Sequence, residues 1–474
     1  MRRSRSIQQN MKLAGKFRRL GKRTFDRTSN ERFRQNLLQA IPYWIASLLT
    51  GLIAVLYTRL FAWAEKGAAF ILHWHFWLLF VLTPVCFLLA WWLVRRFAPY
   101  ARGSGIPQVM ASIELATPKY NEKVNRLLSL RILVVKIFSS LIMALGGGVI
   151  GREGPTIQVA GSIFRKVNEW LPKWWPKVSK RNMIMTGAAA GLAAAFNTPL
   201  GGIVFAVEEL TRTHISYFKT ALFTAVIIAG LTAQALLGPY LYLGYPDMNN
   251  LSGSIFFGVI LVAVPAGLGG AVMARCMLKL FQWKSTFRTF RKHAWYVMGC
   301  ALVLASLAFF VDQRILGSGK GLMTTALFTP DKYNPWYLPL LRMVGSTLSF
   351  TTGASGGVFA PALSAGASIG ATISGWLHLT ASNSDLLVLS GMVGFLTGVT
   401  RTPFTSAILV LEMTDRHNVI FHLMLAGMVS SLVVIPVDRH SFYDHLKYQY
   451  LREIVEEDEP LPAHPQAEGA GPEE

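Results

Sequence analysis

Charge is what this sequence has least of. Only 15% of its 474 residues are Asp, Glu, Lys or Arg, where soluble domains carry about 25%. Hydrophobic residues make up 52% of the chain and the mean hydropathy is positive, +0.39. That balance excludes a soluble enzyme, a disordered chain and a collagen-like scaffold. Cysteine is nearly absent. Cys86, Cys276 and Cys300 lie in apolar runs without metal-ligand spacing, so neither a disulfide framework nor a zinc site is expected, and the three read as small buried hydrophobes. Acidic residues are scarce too, 25 against 46 Lys and Arg, which leaves a net charge of +21. What remains is a polytopic membrane protein.

About half of the excess charge sits at one end. Met1 to Arg34 holds twelve Lys and Arg against Asp26 and Glu31. Phe17, Phe25 and Phe33 interleave with those charges, but no nucleic-acid recognition motif accompanies them. The arm (residues 1–35) reads as a cytoplasmic segment ahead of a first membrane helix, as the positive-inside rule requires. No nucleic-acid partner is expected, and no cleaved signal is read at the start. After Leu451, Glu453, Glu456, Glu457, Asp458 and Glu459 precede a Pro/Ala/Gly-rich stretch. Residues 451–474 read as an acidic, disordered tail. His73 and His75 alternate with Trp74, Phe76 and Trp77. They read as interfacial residues at a helix start rather than metal ligands.

Between these ends, long apolar runs suit spanning helices: Leu37–Trp63, Phe76–Val94, Leu127–Leu145, Ile215–Leu237, Ser254–Leu280, Ala294–Val311, Leu386–Val399 and Val419–Val437. Most approach the ~20 residues needed to cross ~30 Å of hydrocarbon; Leu386–Val399 is shorter. Between them lie glycine-rich pieces, most too short to cross alone: Ile106–Leu115, Glu153–Val167, Met183–Phe196, Pro199–Leu210, Phe359–Trp376 and Pro403–Met413. In lipid, interrupted helices persist only where protein or a water-filled cavity satisfies the freed backbone. Such pieces at matching places in two halves point to a transporter's binding site.

The two halves are present. Thr198-Pro199 and Glu208 recur 204 residues later as Thr402-Pro403 and Glu412, and Gly187 recurs as Gly391. Gly151 to Pro155 matches Gly357 to Pro361 at an offset of 206. The offsets imply a first membrane repeat over residues 36–240 and a second over 254–450.

Three segments share a design in which small residues lead into a short helix: Gly103-Ser104-Gly105-Ile106-Pro107, Gly151-Arg152-Glu153-Gly154-Pro155 and Gly356 to Pro361. A helix N-terminus presents unpaired N–H groups and a partial positive charge. Converging N-termini make an anion site without a full positive charge, which lets a permeant ion leave again. Each cluster alone fits helix packing equally well; three in a duplicated membrane protein favour the anion site. Ser104 adds a hydroxyl donor, and Gly105 and Ile106 belong to the same turn. Glu153 is the most informative residue. A carboxylate in an apolar segment is functional by default. Ionised at a helix N-terminus, it occupies the place of an anion; protonated, it can leave. The plainer alternative is a helix cap, and Arg152 reads as a structural charge. Glu208 and Glu209 end another apolar stretch. One of them suits a proton path on the side away from Glu153; an ordinary interfacial helix end is the other reading. Glu412 reads as structural. Gly317-Ser318-Gly319-Lys320-Gly321 lacks the spacing and the Ser or Thr of a phosphate loop.

These motifs, with Gly187 to Leu210 and its Asn197, Pro199 and Glu208-Glu209, resemble the CLC family of chloride channels and chloride/proton antiporters from about residue 36 to 450. The resemblance implies an all-α membrane fold of two inverted repeats of tilted and broken helices, in a homodimer with one pore per subunit. By position, Ser104 and Tyr443 would give hydroxyls to the anion, with Tyr448 and Tyr450 close to the latter. The amides of Val358 and Phe359 would complete the site. Glu153 would be the gating glutamate, Glu209 the internal proton-transfer glutamate and Glu208 an accessory to it. The implied function is chloride transport, coupled to protons or, as the alternative, through a passive channel. Ser104 resembles chloride-preferring members. The resemblance is to bacterial-type members without a nucleotide-binding pair, so an inner-membrane location with cytoplasmic termini is expected, with no cofactor, no metal and no enzymatic activity.

Overall fold

The computed structural model describes residues 31–210, 219–238, 242–329, 332 and 334–455. Most of the basic arm and of the acidic tail lies outside the described residues, as do residues 215–218 of one expected span. The first half contains α1 (Glu31–Trp74), α2 (Leu79–Phe97), α3 (Ile106–Leu115), α4 (Val124–Leu127), α5 (Leu130–Leu145), α6 (Glu153–Glu169), α7 (Lys180–Phe196), α8 (Pro199–Phe205) and α9 (Lys219–Leu237). The second contains α10 (Ile255–Ser285), α11 (Phe290–Phe310), α12 (Lys320–Phe328), α13 (Tyr337–Thr351), α14 (Phe359–Trp376), α15 (Ala381–Thr400), α16 (Pro403–Thr414), α17 (Ile420–Val434) and α18 (Phe442–Val455).

Seven helical stretches among the described residues are long and apolar enough to cross a membrane. They coincide with seven of the eight expected spans. The eighth, Leu386–Val399, lies inside α15, where every residue from Asn383 to Thr400 is buried. Its apolar character fills a protein core rather than facing lipid. The spans, by contrast, expose rows of large apolar residues, such as Leu48, Leu52 and Leu56 on α1 and Val81, Val85 and Leu89 on α2. This is the surface of an integral membrane protein. α1 runs past its expected end at Trp63 to Trp74, so His73 falls in the last turn of a helix rather than the first. Cys86 and Cys300 are buried as expected, but Cys276 is exposed.

The short helices sit between the spans and pack through glycine. A Cβ added at Gly391 of α15 would lie 2.2 Å from the carbonyl of Gly366 on α14, and one at Gly191 of α7 would lie 2.7 Å from Ala160 on α6. Small residues let backbones approach where lipid offers no hydrophobic drive for association. Proline starts α8 and α16, where its missing N–H is no loss.

The two Thr-Pro corners are tied reciprocally. Glu208 accepts from the amides of Phe404 (3.2 Å) and Thr405 (2.6 Å) and from the Thr405 hydroxyl. Glu412 accepts from the amides of Leu200 (3.0 Å) and Gly201 (2.6 Å). Each glutamate caps the other half's helix, and every partner differs by 204 residues. Such an exchange is the signature of a two-fold relation.

Gly391→Ala should cost about 1–3 kcal/mol through overpacking and lower the Tm measured in detergent. Gly299→Ala is the control: its added carbon meets nothing within 4 Å, so its Tm should not fall.

Candidate anion and proton site

The loops ahead of α3, α6 and α14 are joined by two pairs of backbone hydrogen bonds. Gly103 N donates to Ala354 O (2.9 Å) and Gly356 N to Gly103 O (3.1 Å). Gly151 and Gly357 exchange both bonds, at 2.8 and 2.7 Å. Three helix N-termini from distant sequence thereby become one unit. Glycine is required by the closeness of approach. A Cβ at Gly154 would lie 2.2 Å from the Ser104 hydroxyl, and one at Gly105, whose φ is +105°, would lie 2.9 Å from the Gly154 carbonyl.

The carbonyls of the first loop are held from behind. Lys136 on α5 is fully buried, and its Nζ donates to Ala101 O (3.0 Å) and Gly103 O (2.7 Å). Gln108 Nε2 donates to Arg102 O (2.7 Å). With the carbonyls engaged, the amides that open α3 are left for the interior. Sequence reasoning passed over Lys136, although a lysine inside the apolar run Leu130–Leu145 is itself a signal.

Ser104, Gly105, Ile106, Val358, Phe359 and Tyr443 are all buried. The structure brings them together at the start of α3 and α14 and the first turn of α18. The Tyr443 hydroxyl lies near that of Ser104, and neither buried oxygen makes a hydrogen bond of ordinary geometry. The Tyr443 ring is stacked on Phe359, with centroids 6.2 Å apart and planes at 12°. Tyr450 is committed elsewhere, to Arg102 Nε (3.3 Å) and Gln108 Nε2 (3.1 Å). Tyr448 is exposed. Of the three tyrosines, Tyr443 is the one beside Ser104.

Glu153 opens α6 and is 1% exposed. Its carboxylate curls back over Gly151: a Cβ there would lie 2.1 Å from Oε2. The Ala360 amide of α14 faces the same carboxylate, and Tyr242 Oη donates to Oε1 at 3.4 Å. Tyr242, packed on Phe196, carried no signal in the sequence. Arg152 does what a structural charge should, donating from Nη1 to Thr58 O at 3.2 Å.

Cavities approach this centre from two sides. One of about 280 Å³ is bordered by Glu153, Arg152, Tyr242 and Lys320. On the other side a constriction of about 20 Å³ reaches Ser104 past Gln449 and Phe281. Both of those residues also border a basic cavity of about 780 Å³. Glu153 and Ser104 therefore stand between two vestibules.

Glu208 and Glu209 lie in a single π-helical turn, Ala206–Leu210, a distortion that is frequent at functional sites. The structure gives them different surroundings. Glu208 is the cap described above. Glu209 is half-buried and, like Glu153, within electrostatic reach of Tyr443.

Amides at converging helix ends, two buried hydroxyls, a carboxylate among them and openings on both sides define a membrane protein that passes small anions. Residues 86–434 match the voltage gated chloride channel family, and the chain belongs to that family. It is 30% identical over 407 residues to the H(+)/Cl(-) exchange transporter ClcA of Cronobacter sakazakii, covering 82% of this chain and 85% of that one. It is 28% identical to ClcA of Salmonella arizonae over 82% of this chain and 84% of that one. Among solved structures, a slow cyanobacterial Cl-/H+ antiporter superposes with a TM-score of 0.75 at 23% identity, over 88% of this chain and 98% of that one. A CLC-type fluoride/proton antiporter superposes at 0.72 and 22% identity, over 88% and 99%.

Lys136→Met removes a charged donor from two loop carbonyls. It should cost about 1.5–3 kcal/mol, read as a lower denaturation midpoint of the solubilised protein, and Lys136→Arg should recover part of that loss.

Proposed function

We propose that the protein exchanges chloride for protons across the membrane through a central anion site gated by Glu153. The observation that carries this reading is the position of the Glu153 carboxylate. It lies over Gly151 and faces the Ala360 amide, at helix ends whose N–H groups suit an anion. A chloride ion and the ionised carboxylate then compete for one position. Protonation removes the carboxylate's claim on the amides, and the side chain can swing out toward the adjoining vestibule. Anion occupancy is thereby linked to proton binding. Ser104, Tyr443 and the amides of Gly105, Ile106, Val358 and Phe359 hold the anion without a full positive charge, which favours release.

Glu209 supplies the second protonatable group, reaching the centre from another side. Glu208 serves it by position, since its carboxylate is engaged in capping α16. The kinship to H(+)/Cl(-) exchange transporters of the ClcA type supports proton-coupled exchange over a passive channel. The same reading makes the protein a transporter rather than an enzyme, needing no cofactor. It is a homodimer in lipid with one pore per subunit and two inverted repeats, residues 36–240 and 254–450. Its place is the inner membrane, with the basic arm and the acidic tail in the cytoplasm.

Glu153→Gln is neutral at every pH. In liposomes, its proton movement should fall to the leak of protein-free vesicles, while chloride flux persists and loses its pH dependence. Coupled transport in that variant would remove Glu153 from the mechanism. Glu209→Gln should stop proton movement and spare chloride flux; loss of both would make Glu209 structural.

A further inference from the structure

The loop Gly317-Ser318-Gly319 repeats the build of Gly103-Ser104-Gly105. The glycines have positive φ in both, +63° and +105° in the first and +70° and +86° in the second. Each loop leads into a helix, α3 or α12. In each, a fully buried cation holds the carbonyls from behind. Arg342 donates to Ile315 O (2.8 Å) and Gly317 O (3.2 Å), as Lys136 does to the first loop. Lys136 and Arg342 are 206 residues apart, the spacing of Gly151 and Gly357. The device that readies amides for an anion has thus been built twice.

The second copy does not join the centre. It opens on the vestibule next to Glu153, and a carboxylate sits on it: Ser318 N donates to Glu65 Oε1 at 3.0 Å. Glu65 borders two adjoining cavities, of about 280 and 370 Å³, which also share Ser318 and Lys320. Lys320 Nζ lies 4.9 Å from the centre of the Tyr242 ring, whose hydroxyl contacts Glu153. Arg152 borders the first cavity, only 8% exposed, with a buried Nε that meets no partner. Arg152, Lys320 and the Ser318 loop that opens α12 thus border one recess.

We propose that Ser318, Gly319 and Lys320, with Arg152 beside them, form a second, vestibular site for a halide ion. The Glu65 carboxylate competes with the halide there, as Glu153 competes at the centre. The site gathers anions one step before Glu153, and its partial exposure keeps the binding weak. The inference rests on an anion being the cargo.

Two measurements on the full-length protein test it. In crystals soaked in bromide, anomalous scattering from Glu65→Gln should show bromide within hydrogen-bond distance of Ser318 N. Bromide beside Ser104 and Tyr443 but absent from Ser318 would overturn the second site and leave the central one standing. Bromide at neither would overturn both. In liposomes, Lys320→Gln should raise the half-saturating chloride on the Glu153 side by roughly three- to tenfold, and Glu65→Gln should lower it. No shift in either variant would contradict the proposal. A shift without bromide at Ser318 would reduce the role to long-range steering and overturn the site.

Discussion

Amide groups at the starts of α3, α6 and α14 meet in the interior of a membrane protein, where no bulk water satisfies them. The rest of the structure follows from making that meeting tolerable. Two backbone bridges, Gly103 with Ala354 and Gly356 and Gly151 with Gly357, lock the loops together. Lys136 takes the carbonyls that face away. Glycine at 105, 151 and 154 permits contacts that a Cβ would forbid. The remaining amides are aimed at a place that Glu153 reaches with its own carboxylate. A partial positive potential with no fixed cation at its focus suits an ion that must bind and leave.

Duplication gives this arrangement its economy. α6 and α14 meet through the Gly151–Gly357 bridge, and Glu208 and Glu412 exchange caps across the same relation. Yet the copies have diverged where chemistry matters. Glu153 in the first half corresponds to Phe359 in the second, so one helix start brings a titratable group and the other an aromatic wall that stacks on Tyr443. Glu209 has Met413 as its counterpart. Both carboxylates proposed for the proton pathway therefore come from the first half, and the second supplies amides, packing and the Tyr443 hydroxyl.

Much of this was legible in the sequence, and the gaps have physical reasons. α3 and α14 begin and end where the Gly/Pro punctuation places them, because those residues dictate backbone geometry locally. α15 looked like a span because hydropathy does not distinguish burial in protein from burial in lipid. α12, α13 and α18 went unread as separate elements. α18 is half polar, its Lys447 and Asp444 paired inside the protein, so it lacks an apolar run. Glu208 and Glu209 are adjacent and chemically alike; only the position of the α16 amides marks Glu208 as the cap. Lys136 and Arg342 were visible as charges within apolar runs, but their partners are carbonyls, which leave no trace in a sequence.

The proposed exchange requires that chloride and protons be linked through one shared position. The most direct test uses the wild-type protein in liposomes with an outward chloride gradient, no pH gradient, and the voltage held near zero by potassium and valinomycin. Coupled exchange predicts that chloride leaves while protons enter, so that the outside turns alkaline. Chloride efflux with no change in external pH would contradict it.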